Sequence, residues 1–164
     1  MTRAQELIET LRMSPHPERG FFVETYRSDR QVDAHGSTRA ASTAIYFLLT
    51  RDEPFTFLHR LASDELFHLY EGGPMEVLFL REDGSSEVKR LGLDVAAGER
   101  PQLTIPAGTW FGAELASGST HCLFGCTVAP GFDFADVALA MGPELLSRHP
   151  MQADRIARMS RRRG

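Results

Sequence analysis

The segment from His59 to Gly72 holds the residues best suited to chemistry, a histidine, a carboxylate and a glycine at spaced positions (His59, Glu65, Gly72). From Glu65 the residues alternate as in a strand, which places Glu65 and Phe67 on one face. A carboxylate that faces the protein interior loses hydration, so its pKa rises unless a cation or a donor compensates. A histidine titrates near neutral pH and can accept a proton from carbon. We therefore predict a pocket with His59 as general base and Glu65 as its orienting partner or a second acid or base.

Each of these residues also has a structural interpretation. Glu65 would be scaffolding if it formed a buried ion pair with Arg60 or Arg27, because such pairs perturb a carboxylate as strongly as an active site does. His59 follows an apolar run and would then be an ordinary, hydrogen-bonded histidine. His68 lies on the opposite strand face from Glu65, which favours packing or an interface over contact with a ligand.

A second cluster surrounds the turn at residues 106–108. The sole tryptophan, Trp110, follows this turn with Phe111 beside it. Rings at such a turn provide an aromatic wall for a flat or sugar-like ligand, although they serve ordinary core packing equally well. Gln102 and Trp110 are predicted to hold a substrate. The complete set predicted to contact a ligand is Phe47, Phe67, His68, Gln102, Trp110 and Phe111.

Composition restricts the classes of function. The chain has 164 residues, 42% of them hydrophobic, which predicts one domain over residues 1–164 with a sizeable core. A net charge of −4 argues against a nucleic-acid-binding surface. No apolar run approaches the ~18 residues of a membrane span, and residues 1–11 lack the apolar segment of a signal peptide. We expect a soluble, cytoplasmic protein without a membrane or nucleic-acid partner.

The two cysteines and the basic end of the chain also carry expectations. Cys122 and Cys126 share one face of a predicted strand, about 13 Å apart at a rise of roughly 3.3 Å per residue. A disulfide needs Cα atoms within about 7 Å, so we predict two free, buried thiols, as is typical of a reducing compartment. Residues 151–164 are rich in arginine and are predicted to be a solvated basic tail.

The order of elements predicts an all-β fold. An apolar stripe over residues 1–13 predicts an N-terminal helix, Thr2–Met13, and short helices are predicted at Pro143–Ser147 and Ala153–Met159. The polar stretch Gln31–Arg39 is predicted to be a loop. The predicted strands are Phe21–Arg27, Ala44–Leu49, Phe55–Leu61, Glu65–Tyr70, Met75–Leu80, Ser86–Leu91, Leu103–Ile105, Phe111–Leu115 and Cys122–Val128. Many short strands separated by Gly and Pro turns indicate a sandwich or barrel.

Together the motifs resemble a subgroup of the cupins, the small bacterial and fungal single-domain cupins catalogued as a domain of unknown function. The segments that carry the resemblance are Ser14–Glu18, Phe21–Arg27, Ser42–Leu49, His59–Arg60, Ser63–Tyr70, Pro101–Gln102, Pro106–Trp110 and Cys126–Phe134. The resemblance implies a cupin-type double-stranded β-helix, or jelly-roll barrel, with a pocket at its mouth and usually a homodimer. More distantly, the chain is similar to sugar epimerases of the cupin class.

The chain departs from the cupin pattern at ligand positions. Leu61 and Phe111 stand where cupins usually carry metal-binding histidines, so we predict no bound metal and no other cofactor. Within the subgroup, Arg19 replaces a more usual glycine and Phe67 a more usual tryptophan. The exchange at Phe67 preserves an aromatic wall, whereas Arg19 alters the turn before the first long strand.

Three functions are consistent with these residues. The first is a metal-independent epimerase or isomerase that acts on a sugar or a nucleotide sugar, with His59 as general base. The second is a non-catalytic cupin that binds a small molecule through the same side chains. The third, a metal-dependent oxygenase or isomerase, is disfavoured by Leu61 and Phe111.

Overall fold

The computed structural model of the chain describes residues 1–161. Its α-helices are α1 (Arg3–Thr10), α2 (Pro143–Arg148) and α3 (Ala153–Met159). Its strands, in chain order, are β1 (Ser14–Pro15), β2 (Phe21–Arg27), β3 (Gln31–Ala34), β4 (Ser37–Ala40), β5 (Thr43–Thr50), β6 (His59–Leu61), β7 (Asp64–Gly72), β8 (Met75–Leu80), β9 (Ser86–Leu91), β10 (Gln102–Ile105), β11 (Trp110–Leu115), β12 (His121–Ala129) and β13 (Val137–Leu139).

Two antiparallel sheets form the barrel. One has the strand order β1-β2-β5-β12-β7-β10 and the other β13-β6-β11-β8-β9, while β3 and β4 form a separate hairpin. Alternate residues of each strand face the interior, where Phe47, Phe67, Phe79, Phe111 and Phe124 form one buried cluster. The predicted all-β jelly-roll fold with short terminal helices is confirmed.

Helices cover the outside of both sheets. Helix α1 begins with a capping box between Thr2 and Gln5 and ends at Thr10, three residues before the predicted end. Leu7 of this helix packs with Leu48 and Leu123 on the six-stranded sheet. Burial of this apolar stripe stabilises a helix that is too short to persist alone in water.

The C-terminal segment is not the solvated tail that was predicted. Helix α3 packs Ile156 and Met159 against the five-stranded sheet, and both side chains are completely buried. Arg155 pairs with Glu76 and Glu114, and Arg158 also pairs with Glu114. The basic residues therefore anchor the helix through acidic partners on β8 and β11. The last three residues of the predicted tail, 162–164, lie outside the described residues.

Two predicted segments differ in the structure. Residues 31–39, predicted to be a loop, form most of the β3–β4 hairpin, which reverses at His35 and Gly36, both with positive φ. The predicted strand Phe55–Leu61 is regular only from His59, because the preceding N–H groups donate to three separate segments. Thr56 donates to the carbonyl of Ala113, Phe57 to Glu18 and Leu58 to Met159. Sequence periodicity could not show these tertiary partners.

The cysteines and the helices agree with two simpler expectations. Cys122 and Cys126 are free and buried, and burial raises the pKa of the Cys122 thiol to about 12. Among residues 1–161, none of the helices is sufficiently long and apolar to span a membrane.

Candidate functional site

A cavity of about 310 Å³ opens into the barrel between the sheets. Its size is at the lower end of the range for small-molecule sites, which is roughly 300–1,000 Å³. Seven of the twenty residues that line it are phenylalanines, and ionisable side chains lie between these rings. The lining rings are Phe22, Phe47, Phe67, Phe111, Phe124, Phe132 and Phe134.

Glu65 projects into this cavity from strand β7. Its side chain is buried, and its Oε2 atom has no hydrogen-bond partner among the described residues. The pKa of Glu65 is raised to about 8, mainly by burial and also by the nearby charge of Glu18, while a hydrogen bond from the Cys126 thiol opposes the shift. Glu65 is therefore mainly a neutral carboxylic acid at pH 7.

His59 and Glu18 form a pair that also lines the cavity. The Nδ1 atom of His59 lies 2.7 Å from the carbonyl oxygen of Phe57, so Nδ1 carries a hydrogen and donates it. The Nε2 atom lies 3.2 Å from Oε2 of Glu18, and both side chains are buried. One proton is thus shared between the imidazole and the carboxylate. Burial raises the pKa of Glu18, while the positive charge of His59 acts in the opposite direction.

A tight turn before β2 carries Glu18 to the cavity. Arg19 and Gly20 both have positive φ, 75° and 78°. A side chain at Gly20 would collide with the ring of Phe47 and the carbonyl of Leu48, so only glycine fits this close approach. Arg19 offsets its own backbone strain by pairing with Glu53 and by stacking on Phe55.

His16 is the fourth ionisable group of this cluster. Its Nδ1 atom accepts a hydrogen bond of 3.1 Å from the backbone N–H of Glu18. The pKa of His16 is lowered to about 4, mainly by burial and also by the positive charge of His59. His16 is therefore a neutral imidazole whose hydrogen resides on Nε2, which makes that atom a donor.

Several predicted site residues meet in this cavity. His59, Glu65, Phe47, Phe67 and Phe111 all line it. The predicted pairing of His59 with Glu65 is corrected, because Glu18 occupies that position. The alternative ion pairs of Glu65 are also not formed: Arg60 stacks on Trp110, and Arg27 binds Glu24.

Three predicted ligand contacts lie elsewhere. His68 donates through Nε2 to Thr127, and its Nδ1 accepts from Gln102, on the outer sheet face. Trp110 packs outside the barrel with the cluster that includes Leu58. The reason is the alternation of side chains along a strand: His68 follows the inward Phe67, and Trp110 precedes the inward Phe111.

The sequence interpretation gave no site role to Glu18 and set His16 aside. Both lie between or beside Pro15 and Pro17, where the chain cannot continue a helix and must turn. The signal in the sequence that could have identified these two site residues was a histidine and a glutamate in a turn directly before a strand.

Potential metal ligands are not grouped in the described part of the chain. Among residues 1–161 no three His, Cys, Asp or Glu side chains are arranged to hold a metal ion. Leu61 and Phe111 both line the cavity as apolar side chains. The expectation of a metal-free protein stays a prediction.

The fold and the site define a class. Residues 5–140 match the family model described as "Cupin superfamily (DUF985)". The chain belongs to this family, and the resemblance seen in the sequence is confirmed.

Individual relatives are similar over nearly the entire chain. The uncharacterized protein YML079W of Saccharomyces cerevisiae is 29% identical over 170 residues, which cover 95% of this chain and 84% of the yeast protein. A hypothetical protein from Leishmania major is 32% identical with a TM-score of 0.89, over 97% of this chain and 99% of that one. Protein SO0799 from Shewanella oneidensis is 34% identical with a TM-score of 0.89, over 99% and 100% of the two chains.

A more distant likeness concerns the fold alone. Oxalate decarboxylase from Bacillus subtilis is 13% identical with a TM-score of 0.55, over 91% of this chain and 37% of the enzyme. Shared architecture at this distance carries no information about the reaction.

Proposed function

We propose that the cavity binds a small sugar-like carbonyl compound and moves a proton at the carbon beside the carbonyl, as a metal-independent isomerase or epimerase. The observation that carries the proposal is that one apolar cavity holds a buried carboxyl group without a partner and a second carboxyl group paired with a histidine. Oε2 of Glu65 has no hydrogen-bond partner in the described residues, and Oε2 of Glu18 lies 3.2 Å from Nε2 of His59. Environments that separate the protonation states of two groups are typical of acid–base sites.

Glu65 would act on the carbonyl oxygen of the substrate. A buried carboxylic acid that stays protonated at neutral pH can donate a hydrogen bond to an oxygen as negative charge develops on it. Its Oε2 atom has no partner in the described residues, so the donor position is available.

The Glu18–His59 pair would act on the neighbouring carbon. Glu18 accepts the C–H proton, the electron pair of that bond moves into the carbonyl, and Glu65 passes its proton to the oxygen, which gives a neutral enol. Return of a proton from Glu18 to the same face of that carbon, with the enol proton going back to Glu65, exchanges the hydrogen, and delivery to the other face after the enol turns inverts the carbon. Where the carbon carries a hydroxyl, delivery to the former carbonyl carbon isomerises the compound, because the hydroxyl loses its proton to Glu65 and becomes the new carbonyl. His59 keeps Glu18 oriented through the contact of 3.2 Å, while Phe57 fixes the imidazole. These roles replace the sequence prediction that His59 itself contacts the substrate.

Deuterium exchange tests the proposal. The protein is incubated in D₂O with free hexoses and pentoses, whose open-chain forms carry a carbonyl, and with nucleotide-linked keto sugars. Loss of the signal of the hydrogen beside the carbonyl is followed by NMR. We expect exchange into at least one compound at a rate above that of heat-denatured protein. Failure to exchange any of them, together with a cavity ligand that is recovered intact, would contradict catalysis.

A non-catalytic binding protein is the second candidate. It is favoured by the observation that both ring nitrogens of His59 already have acceptors within the protein. In that case the same cavity would hold a ligand through fixed polar contacts and the deuterium experiment would be negative while binding persists.

We also propose a homodimer. Strand β2 pairs with β5 on one side, and on its outer side β1 pairs with it only at Phe21 and Phe22. In the described residues the outer edge of β2 from Val23 to Arg27 therefore has no neighbouring strand. An open edge of this kind favours pairing with a second copy. We expect light scattering at micromolar concentration to give twice the chain mass of 18.3 kDa. A monomeric mass would contradict the prediction.

Residence of the protein in the cytoplasm is a further proposal, which cell fractionation tests.

A further inference from the structure

We propose that the cavity selects uncharged ligands, held through a carbonyl or hydroxyl oxygen that accepts a hydrogen bond from Glu65, and that it excludes anions such as phosphorylated or nucleotide-linked sugars. This inference rests on the proposed function, because it concerns the same cavity and the same carboxyl group. It goes further by naming the charge class of the compound.

The described residues that line the cavity offer no free cation to a ligand. Among the described residues that line it, Arg27 is the only lysine or arginine. Its guanidinium binds both carboxylate oxygens of Glu24, at 2.9 and 2.8 Å, and also lies 3.4 Å from the carbonyl of Phe132. The other positive group, His59, is matched by Glu18. Phosphate and carboxylate sites usually rely on arginine donors that are free to form paired hydrogen bonds.

The charged groups around the cavity carry an excess of negative charge. At pH 7 neither Glu65 nor His16 is charged, which leaves Glu18, Glu24 and Asp133 opposed by Arg27 and His59. Because Glu24 and Asp133 are exposed, this excess repels an anion as it approaches from solvent.

The hydrogen on the Glu65 carboxyl group is available for a ligand that can accept it. The titratable groups that face Glu65 are the Cys126 thiol on β12, the Glu18 carboxyl from the turn before β2, and His59 on β6 behind Glu18. Its other strand partners, Ile105 on β10 and Val128 on β12, are apolar. The one possible cation among these groups, His59, lies against Glu18 rather than Glu65. The acid form of Glu65 therefore persists, and its hydrogen needs an acceptor.

A cationic ligand meets a different obstacle. Phenylalanine faces attract cations, but a cation would be paired with a charge only after Glu65 released its proton. An uncharged oxygen acceptor binds the acid form as it stands. Cationic ligands and uncharged ligands are therefore distinguished by whether their binding releases a proton from Glu65.

Three probes that share a six-membered carbon ring but differ in charge test the proposal at pH 7. Cyclohexanone, cyclohexanecarboxylate and cyclohexylamine are titrated by saturation-transfer NMR and by calorimetry in buffers of different ionisation enthalpy. We expect cyclohexanone to bind at least tenfold more tightly than the carboxylate, without release of a proton. Equal or tighter binding of the carboxylate, or tighter binding of the amine with release of about one proton, would overturn the inference. If none of the probes bound, the proposed small-molecule cavity itself would be wrong.

The pH dependence provides a second and independent readout. Because only the acid form of Glu65 binds the ketone, and its pKa is about 8, the affinity for cyclohexanone should fall about 30-fold from pH 7 to pH 9.5. Constant affinity of the wild-type protein over this range would refute the role of Glu65, and this measurement needs no variant.

Glu65→Gln is the matching substitution. The glutamine amide keeps an N–H donor but cannot ionise, so the fall in affinity between pH 7 and pH 9.5 should shrink to less than threefold. Glu144→Gln changes an exposed carboxylate on α2 in the same way and should retain the wild-type pH dependence. A fall in the Glu65→Gln variant as steep as in wild type would assign the titration to another group and overturn the proposal.

Discussion

Glu65→Gln is expected to raise the free energy of unfolding at pH 9 by about 3–5 kcal/mol, an unusually large stabilisation for a single substitution. The pKa of Glu65 is raised from 4.5 to about 8 in the folded protein. Between these values the folded protein retains a proton that the unfolded chain releases, so the stability of the wild type falls as pH rises from 4.5 to 8. Glutamine has no such transition in either state. The difference should therefore be small near pH 4 and complete by pH 9.

Urea unfolding of both proteins at pH 4, 7 and 9 measures this difference. The Glu144→Gln variant, in which the lost charge is exposed, should follow the wild type at all three values. A melting temperature of Glu65→Gln ten degrees or more below that of the wild type at pH 7 would contradict the prediction and mean that the packed barrel depends on the carboxyl group of Glu65.

Glu18→Gln is expected to lower the rate of deuterium exchange about 10²–10⁴-fold, which is the usual contribution of a general base. The substitution preserves the size of the side chain and removes the group that accepts the proton from carbon. The amide can still form a hydrogen bond with Nε2 of His59, so the turn before β2 should stay in place. The measurement is the NMR exchange experiment with the best compound found for the wild type.

Glu53→Gln is the matched control for this experiment. Glu53 follows β5, and its Oε2 atom lies 2.7 Å from Nε of Arg19, which is next to Glu18 in the turn before β2. Glu53 does not line the cavity. Its variant should exchange deuterium at the wild-type rate. Undiminished exchange in Glu18→Gln would show that another group is the base, whereas loss of exchange in both variants would assign the effect to the conformation of the turn.

The local sequence pattern was sufficient to predict the fold and the part of the site that lies on β7. Alternating strands separated by Gly and Pro turns identify a β-barrel, because strand periodicity and turn chemistry act over a few residues. The same alternation places Glu65 and Phe67 inward, as the structure has them. The alternation also predicts that His68 lies on the opposite face from Glu65, as it does in the structure, although His68 was kept among the predicted ligand contacts. Applied to Trp110, which is adjacent to the inward Phe111, it would have placed that ring on the outer face as well.

The partner of His59 could not be obtained in this way. Glu18 lies far from His59 in sequence, and the two meet because the carbonyl of Glu18 accepts a hydrogen bond from the N–H of Phe57. Neither residue type nor spacing encodes such a contact. It depends on the close approach of Gly20 to Phe47 and Leu48, which only the packed barrel creates.

The sequence by itself determined the all-β architecture, the family, the two unpaired cysteines and the inward carboxyl of Glu65, because each follows from periodicity, spacing or short motifs. The tertiary structure decided that Glu18 pairs with His59, that Glu65 has no cationic partner within residues 1–161, and that helix α3 is bound to the sheet rather than solvated. These features arise from contacts between segments distant in sequence. The protonation state of a buried group depends on all the charges around it and on its loss of water, and both are properties of the folded protein alone.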